Sequence, residues 1–352
     1  MKRVVELAGR RVGPGHPVVV VAEAGINHNG SLELARRMVD VAAQAGADAL
    51  KFQAYHSEEF LVSRDLTYTY ISQGQSVTES QYDMFKRCEF GRNEFEVLRE
   101  DCNRRGLLFF ATATDARARD MLLELGVPAL KIGSDDLVHH PMLREFASKG
   151  KPLILSTGMA DLAEVERAVR TVEEAGGDEL ILLHCTSLYP TPEDCANILC
   201  INTLQQYFDC PVGYSDHTMG VSAAAGAVAL GACLVERHFT LDRNFPGPDH
   251  SFSADPATLE ALVRIIRAME KHRGSAEVRP TAEEMEMRAV ARRSVVARAP
   301  IPSGTILARS HFSYKRPGTG IPPMDEHLLV GRRTTRDLGE GDLITLEALE
   351  QS

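Results

Sequence analysis

The chain has 352 residues, 44% of them hydrophobic, with a formal net charge of −10. That length holds one large core plus a small second one, and the acidic balance, with no basic stretch, excludes nucleic acid as an expected partner. No apolar run approaches the roughly 18 residues of a membrane span, and Met1-Lys2-Arg3-Val4-Val5-Glu6 lacks a signal-peptide core, so a cytoplasmic protein without a membrane partner is expected. The seven Cys are odd in number, scattered and without a C-x-x-C pair, which fits reduced thiols better than disulfides or a zinc ribbon.

Along the chain, short apolar runs alternate eight times with longer segments of helical period. The expected strands are Val18–Ala22, Ala49–Phe52, Leu107–Ala111, Ala129–Ile132, Pro152–Leu155, Leu180–Leu183, Val212–Tyr214 and Leu234–Glu236. Amphipathic stretches such as Leu32–Ala45, Glu94–Arg105, Ala116–Leu125, Leu162–Ala175 and Val221–Leu230 lie between them. Continuously apolar strands belong where both faces are covered, and eight such units over about 270 residues predict an α/β fold, a (β/α)8 TIM barrel spanning residues 1–273. Neither G-x-G-x-x-G nor G-x-x-x-x-G-K-S/T follows the first strand, which argues against a nucleotide-binding sheet. The polar insert Ser57–Asp83 is expected to be a lid or interface loop. After a Glu/Arg-rich linker (residues 274–291), residues 292–352 carry the short segments Ser294–Arg298, Thr305–Leu307, Phe312–Tyr314, His327–Val330 and Leu343–Thr345, punctuated by Pro and Gly. A small β-rich domain of about 60 residues is predicted there.

A barrel of this kind builds its site at the C-terminal ends of its strands. Those ends carry Glu23, Asn27 and His28; Lys51 and Gln53; Thr112 and Thr114; Lys131, Ser134 and Asp135; Ser156 and Thr157; His184, Thr186, Ser187 and Tyr189; Ser215, Asp216 and His217; and Glu236, Arg237 and His238. One strand-end Lys is as well explained as a solvated charge. Lys51 and Lys131 facing one mouth with Ser134 and Ser156 predict a phosphate or carboxylate site, because ammonium groups attract and hydroxyls donate. His217 and His238, on adjacent strands, can converge on one metal and leave positions open for water and substrate; imidazole ligands favour Mn, Fe, Co or Zn over Mg. His184 is equally well explained as a hydrogen-bonded core residue. Glu23 is a candidate general base, or a carboxylate that orients a neighbour. Gly158 and Gly213 are expected to serve backbone fit.

Beyond composition, the run Ala22-Glu23-Ala24-Gly25-Ile26-Asn27-His28-Asn29-Gly30 resembles the opening motif of the sialic acid synthase (N-acetylneuraminate synthase) family. So do Lys51-Phe52-Gln53, Lys131-Ile132-Gly133-Ser134, Leu155-Ser156-Thr157-Gly158-Met159, the stretch from His184 to Pro192, Gly213-Tyr214-Ser215-Asp216-His217-Thr218, Glu236-Arg237-His238-Phe239-Thr240 and Gly247-Pro248-Asp249. Arg292-Arg293-Ser294 and the run Lys315–Ile321 resemble that family's antifreeze-protein-like (SAF) domain, a β-clip.

The resemblance implies a transferase of nonulosonic (sialic) acid biosynthesis. It would condense phosphoenolpyruvate with an N-acetylmannosamine-type aldehyde sugar, releasing phosphate by C–O cleavage. His217 and His238 would bind Mn2+ (Mg2+ or Co2+ substituting) and so polarise the aldehyde oxygen. Lys51, Thr112, Lys131, Ser134, Ser156, Ser187 and Ser215 would hold phosphoenolpyruvate. Gln53, Tyr189 and Asp249 would meet the sugar, and Glu23 would handle the attacking water. Arg316 would reach the acetamido group from the other subunit of a domain-swapped homodimer. Two positions depart from the family pattern: Ser187 stands in place of Asn, and Ser134-Asp135-Asp136 replaces Ser-Gly-Asp/Glu. The alternatives are a di-acetamido-trideoxy hexose substrate, as for legionaminic or pseudaminic acid, a lyase or isomerase that uses the metal without phosphoenolpyruvate, and a non-catalytic binding protein. A 6-phosphorylated sugar is disfavoured, since no extra basic cluster is evident.

Overall fold

The computed structural model describes residues 1–350, which divide into two compact units, Met1–Gly274 and a second that begins at Ser275. In the first, eight parallel strands close into a barrel in chain order: β1 (Val19–Gly25), β2 (Ala49–Ala54), β3 (Leu108–Ala113), β4 (Leu130–Ile132), β5 (Leu153–Ser156), β6 (Leu180–Cys185), β7 (Val212–Asp216) and β8 (Leu234–His238). Each is followed by a helix: α1 (Leu32–Gln44), α2 (Arg92–Arg105), α3 (Ala116–Glu124), α4 (His140–Ala147), α5 (Leu162–Glu174), α6 (Cys200–Tyr207), α7 (Ser222–Ala229) and α8 (Pro256–Arg273). The chain therefore forms the expected TIM barrel.

The helices obey their local chemistry. Ser31, Asp115, Asp161 and Asp255 each accept a hydrogen bond from an amide of the first turn, and Asp161 with Glu164 forms a reciprocal capping box. Helix α1 buries Ala35, Met38, Val39 and Ala42, and α5 buries Val165, Ala168, Val169 and Val172. Both sets follow the three-and-four spacing of a single apolar stripe.

Several strands run farther than their apolar residues predict. Strand β1 continues through Glu23 to Gly25, β6 to Cys185, β7 to Asp216 and β8 to His238. Hydrogen bonding to neighbours on both sides carries polar residues on as strand where hydropathy has already stopped.

Two antiparallel hairpins join the barrel. One pairs Val5–Leu7 with Arg10–Val12 and adds Val5, Leu7 and Val12 to the barrel core. The other, Thr67–Ser72 with Gln75–Ser80, replaces the expected loop. Its connection is Gln73-Gly74, both at positive φ, the conformation of a tight two-residue hairpin turn.

The second unit begins with α9 (Ala282–Ala291), a helix inside the expected linker, capped by Thr281 and Glu284 and burying none of its side chains. Strands β9 (Ser294–Ala297) and β10 (Phe312–Lys315) pair antiparallel around Val295, Ile301, Leu307, Phe312, Leu329, Leu338 and Ile344. His327–Val330, expected as a short segment of the β-rich domain, instead holds the end of a 3-10 helix, Pro323–Leu328, and the turn after it; Pro322 and Pro323 start that helix.

Candidate active site

Polar residues of the barrel's strands and of the loops that follow them line a single cavity of about 590 Å³. Glu23, Lys51, Gln53, Thr112, Lys131, Ser134, Ser156, Ser187, Tyr189, Ser215, His217 and His238 all border it. Register explains the convergence: Glu23 pairs with Lys51, Gln53 with Thr112, Thr112 with Lys131, and His238 with Glu23. Neighbouring strands thus present their functional groups at one height.

At the centre lies an ionic cluster. Lys51 Nζ stands 2.9 Å from Glu23 Oε1 and 3.7 Å from Glu236 Oε1, and donates to Thr112 Oγ1 at 2.7 Å. Lys131 Nζ donates to Ser156 Oγ at 2.7 Å and to the Ile132 carbonyl at 3.0 Å. Ser215 Oγ donates to Glu236 Oε1 at 3.3 Å, and Gly158 N–H donates to Ser134 Oγ at 3.0 Å. Gly158 does more than fit its own backbone: a Cβ there would lie 2.3 Å from Ser187 Oγ and 2.8 Å from Ser134 Oγ. Ser187 Oγ itself is buried without a partner, as are Glu23 Oε2 and Glu236 Oε2. Buried polar atoms left open in this way are ready to meet a ligand.

The two carboxyls differ. Burial pushes Glu23 up to about 7, with Lys51 opposing and Glu236 adding to the rise. Burial acts on Glu236 too, but Lys51, Lys131 and His217 outweigh it and hold that group below the ordinary carboxylate value. The same cluster thus drives its two carboxyls in opposite directions. Burial pulls Lys131 down, whereas for Lys51 the two carboxylates overcome burial and raise it. Glu236 stood among the strand-end residues of the sequence without a role, because its importance arises from Lys51 on a distant part of the chain.

Beside this cluster, the rings of His217 and His238 lie 5.3 Å apart, with Tyr189 4.2 Å from His217 and 5.9 Å from His238. His217 Nδ1 is engaged by the Thr186 carbonyl at 2.9 Å, which leaves Nε2 free. His238 Nδ1 is buried with no hydrogen-bond partner, and Asp249 Oδ2 is 3.6 Å from it. Burial raises Asp249 to about 6. Among the described residues no group of three or more His, Cys, Asp or Glu is arranged to hold a metal ion. The imidazole pair nevertheless fits one: two nitrogens each about 2.1 Å from an ion place their ring centres near the observed separation, and each ring keeps a nitrogen free. A two-protein-ligand site leaves its remaining positions to water and substrate.

The other candidates separate. His184 donates from Nε2 to the Ala196 carbonyl at 2.9 Å and stacks on Tyr214, which places it in the wall. Asp216 and Arg237 form a buried ion pair at 2.8 Å. Asn27 donates to the Phe239 carbonyl and to Ser253 Oγ, tying β1 to the segment after β8. Arg316 is an exposed residue of the second unit, just after β10. No helix of the described residues is long and apolar enough to cross a membrane.

Comparison with known proteins agrees with this geometry. The NeuB family matches residues 38–278 and the SAF domain residues 292–350. The chain is 40% identical to the N,N'-diacetyllegionaminic acid synthase of Legionella pneumophila, over 94% of each chain. It is 36% identical to the human N-acetylneuraminate-9-phosphate synthase, over 97% of this chain and 95% of that one. The crystal structure of the N-acetylneuraminic acid (sialic acid) synthetase of Leptospira borgpetersenii, in complex with citrate, superposes with a TM-score of 0.74 at 39% identity, covering 82% of this chain and 95% of that one. A TIM barrel that gathers this ionic and imidazole cluster, matched over most of its length and followed by a SAF domain, makes the chain an enzyme of the NeuB family.

Proposed function

We propose that the enzyme joins C3 of phosphoenolpyruvate to the aldehyde carbon of an acetamido sugar of the N-acetylmannosamine type, giving a nonulosonic acid and phosphate. The observation that carries this reading is the single cavity in which Lys51, Lys131 and a ring of hydroxyls adjoin an imidazole pair with uncommitted nitrogens. Two ammonium groups with Thr112, Ser134, Ser156, Ser187 and Ser215 suit the carboxylate and phosphate of phosphoenolpyruvate. His217 and His238 would hold a divalent cation, Mn2+ by ligand type, which when bound draws electron density from the aldehyde oxygen.

Gln53 and Tyr189, which line the cavity, and Asp249, beside His238, would meet the sugar. Attack by C3 on the aldehyde leaves cationic character at C2. Glu23, raised towards neutrality, takes a proton from the water that adds there. The tetrahedral adduct then expels phosphate by breaking the C2–O bond. Arg316 is carried, on the resemblance alone, as an acetamido contact supplied across a homodimer.

The test is phosphate release from phosphoenolpyruvate by the Mn2+-supplemented protein, with and without an acetamido aldose. Release that requires the sugar is expected. Release without sugar, or none with any acetamido sugar, would overturn the proposal.

A further inference from the structure

Three groups of the site come from one short loop. After β6 the chain turns through Thr186, Ser187, Leu188, Tyr189, Pro190 and Thr191. Ser187 and Tyr189 line the cavity, and the Thr186 carbonyl engages His217 Nδ1 at 2.9 Å. A carbonyl can only accept, so it keeps the ring proton on Nδ1 and leaves the Nε2 lone pair for an ion. Cys185 Sγ also approaches Nδ1, but at 3.8 Å, and a thiol both donates and accepts, so it does not dictate the tautomer.

Thr191 closes that loop. Its hydroxyl donates to the Leu188 carbonyl at 2.9 Å and, at 3.2 Å, to the same Thr186 carbonyl that faces His217. Its backbone N–H donates to the His217 carbonyl at 2.8 Å, and Thr191 pairs with Thr218 in an isolated parallel bridge. One residue thus grips both the carbonyl that holds the ring and the peptide that carries it. The grip extends to the second imidazole. Asp216 Oδ1 accepts from the Thr218 N–H and hydroxyl at 2.9 and 2.8 Å, and Asp216 pairs with Arg237, next to His238 on β8. Thr191 is buried and does not line the cavity, so neither substrate nor solvent takes the place of its bonds.

We propose that Thr191 is a positioning residue, which holds the Thr186 carbonyl against His217 Nδ1 and so fixes the tautomer and direction of that imidazole for a cation. This rests on the reading of His217 and His238 as a cation site. Valine has the shape of threonine without its hydroxyl. In Thr191→Val the Leu188 carbonyl loses its donor and the Thr186 carbonyl is free to swing away. The ring proton can then move to Nε2, where it blocks a metal ion. Serine keeps the hydroxyl and with it the clasp.

The experiment titrates metal-free, full-length protein with Mn2+ by electron paramagnetic resonance, and measures phosphoenolpyruvate affinity on the same metal-free samples by calorimetry. Thr191→Val should weaken Mn2+ binding by about tenfold or more, the usual cost of removing a group that orients a metal-binding imidazole. Phosphoenolpyruvate affinity should change less than about threefold, because Lys51, Lys131 and their hydroxyl partners stand on other strands. Thr191→Ser should hold Mn2+ to within about threefold of the unaltered protein. Unchanged Mn2+ affinity in Thr191→Val, or an equal loss of both ligands, would overturn the positioning role and leave the synthase reading standing. Should the valine variant fail to fold, the serine variant decides: retained Mn2+ affinity supports the clasp, and a tenfold loss in folded protein overturns it. Absence of Mn2+ binding by the unaltered protein would overturn the cation site and this proposal together.

Discussion

Glu23 and Glu236 share one ammonium, yet their surroundings send them in opposite directions: Glu236 gathers Lys51, Lys131 and His217, while Glu23 is left nearer to neutrality by burial. In the proposed reaction Glu23 is the group that exchanges a proton and Glu236 the one that fixes charge. Glu23→Gln is expected to keep phosphoenolpyruvate affinity within a few-fold and to lower turnover by about 100- to 10,000-fold, as measured by calorimetry and phosphate release. A rate near that of the unaltered protein would remove Glu23 from the role of base. Lys131→Met removes one charged hydrogen bond from the anion site, which should weaken phosphoenolpyruvate binding by about 10- to 100-fold. Most of this site was legible as a set of strand-end residues, because barrel topology dictates where strand ends point. The roles of Glu236 and Thr191 were not, since each gains meaning only from partners brought in by the fold.

At the scale of elements, the barrel was legible because its eight strands are apolar on both faces and its helices keep a clean stripe. What escaped was short or polar. The three-residue strands of the Val5–Val12 hairpin are too brief to show a period. The hairpin Thr67–Ser80 did carry a signal, an alternating Tyr/Thr/Ile run closed by Gln73-Gly74, but its exposed residues gave no apolar face. The buried Asp216–Arg237 pair ties β7, which His217 directly follows, to β8, which bears His238. Asp216→Ala would leave a buried guanidinium unpaired, so unfolding stability should fall by about 3–5 kcal/mol, read from the denaturant midpoint. A shift within experimental scatter would mean that the pair is not holding the strands. Gly25, at φ +51° where β1 bulges, would place a Cβ 3.4 Å from Glu23 Oε1 and 3.5 Å from Gln53 Nε2. Substitution there strains backbone and site together.

The whole molecule comprises two cores of unequal size. A unit as small as Ser275–Ser352 has only a few kcal/mol of stability to lose. Phe312 is fully buried in that core, and Phe312→Ala should cost about 3–5 kcal/mol. Hydrogen exchange should then quicken across peptides of residues 292–350, and unchanged protection would contradict the assignment of Phe312 to that core. The proposed cation adds a second test of the intact molecule. Exhaustive chelation should abolish turnover and Mn2+ should restore it, while full activity after chelation would exclude a metal role for His217 and His238.

The proposed condensation with the sugar consumes phosphoenolpyruvate by breaking its C2–O bond. The most direct measurement uses phosphoenolpyruvate labelled with heavy oxygen at the bridging position and follows the label by mass spectrometry. Retention of the label in the released phosphate, together with a nine-carbon acid bearing the acetamido group, is the predicted result. Label left in the organic product would mean P–O cleavage and would contradict the proposed condensation.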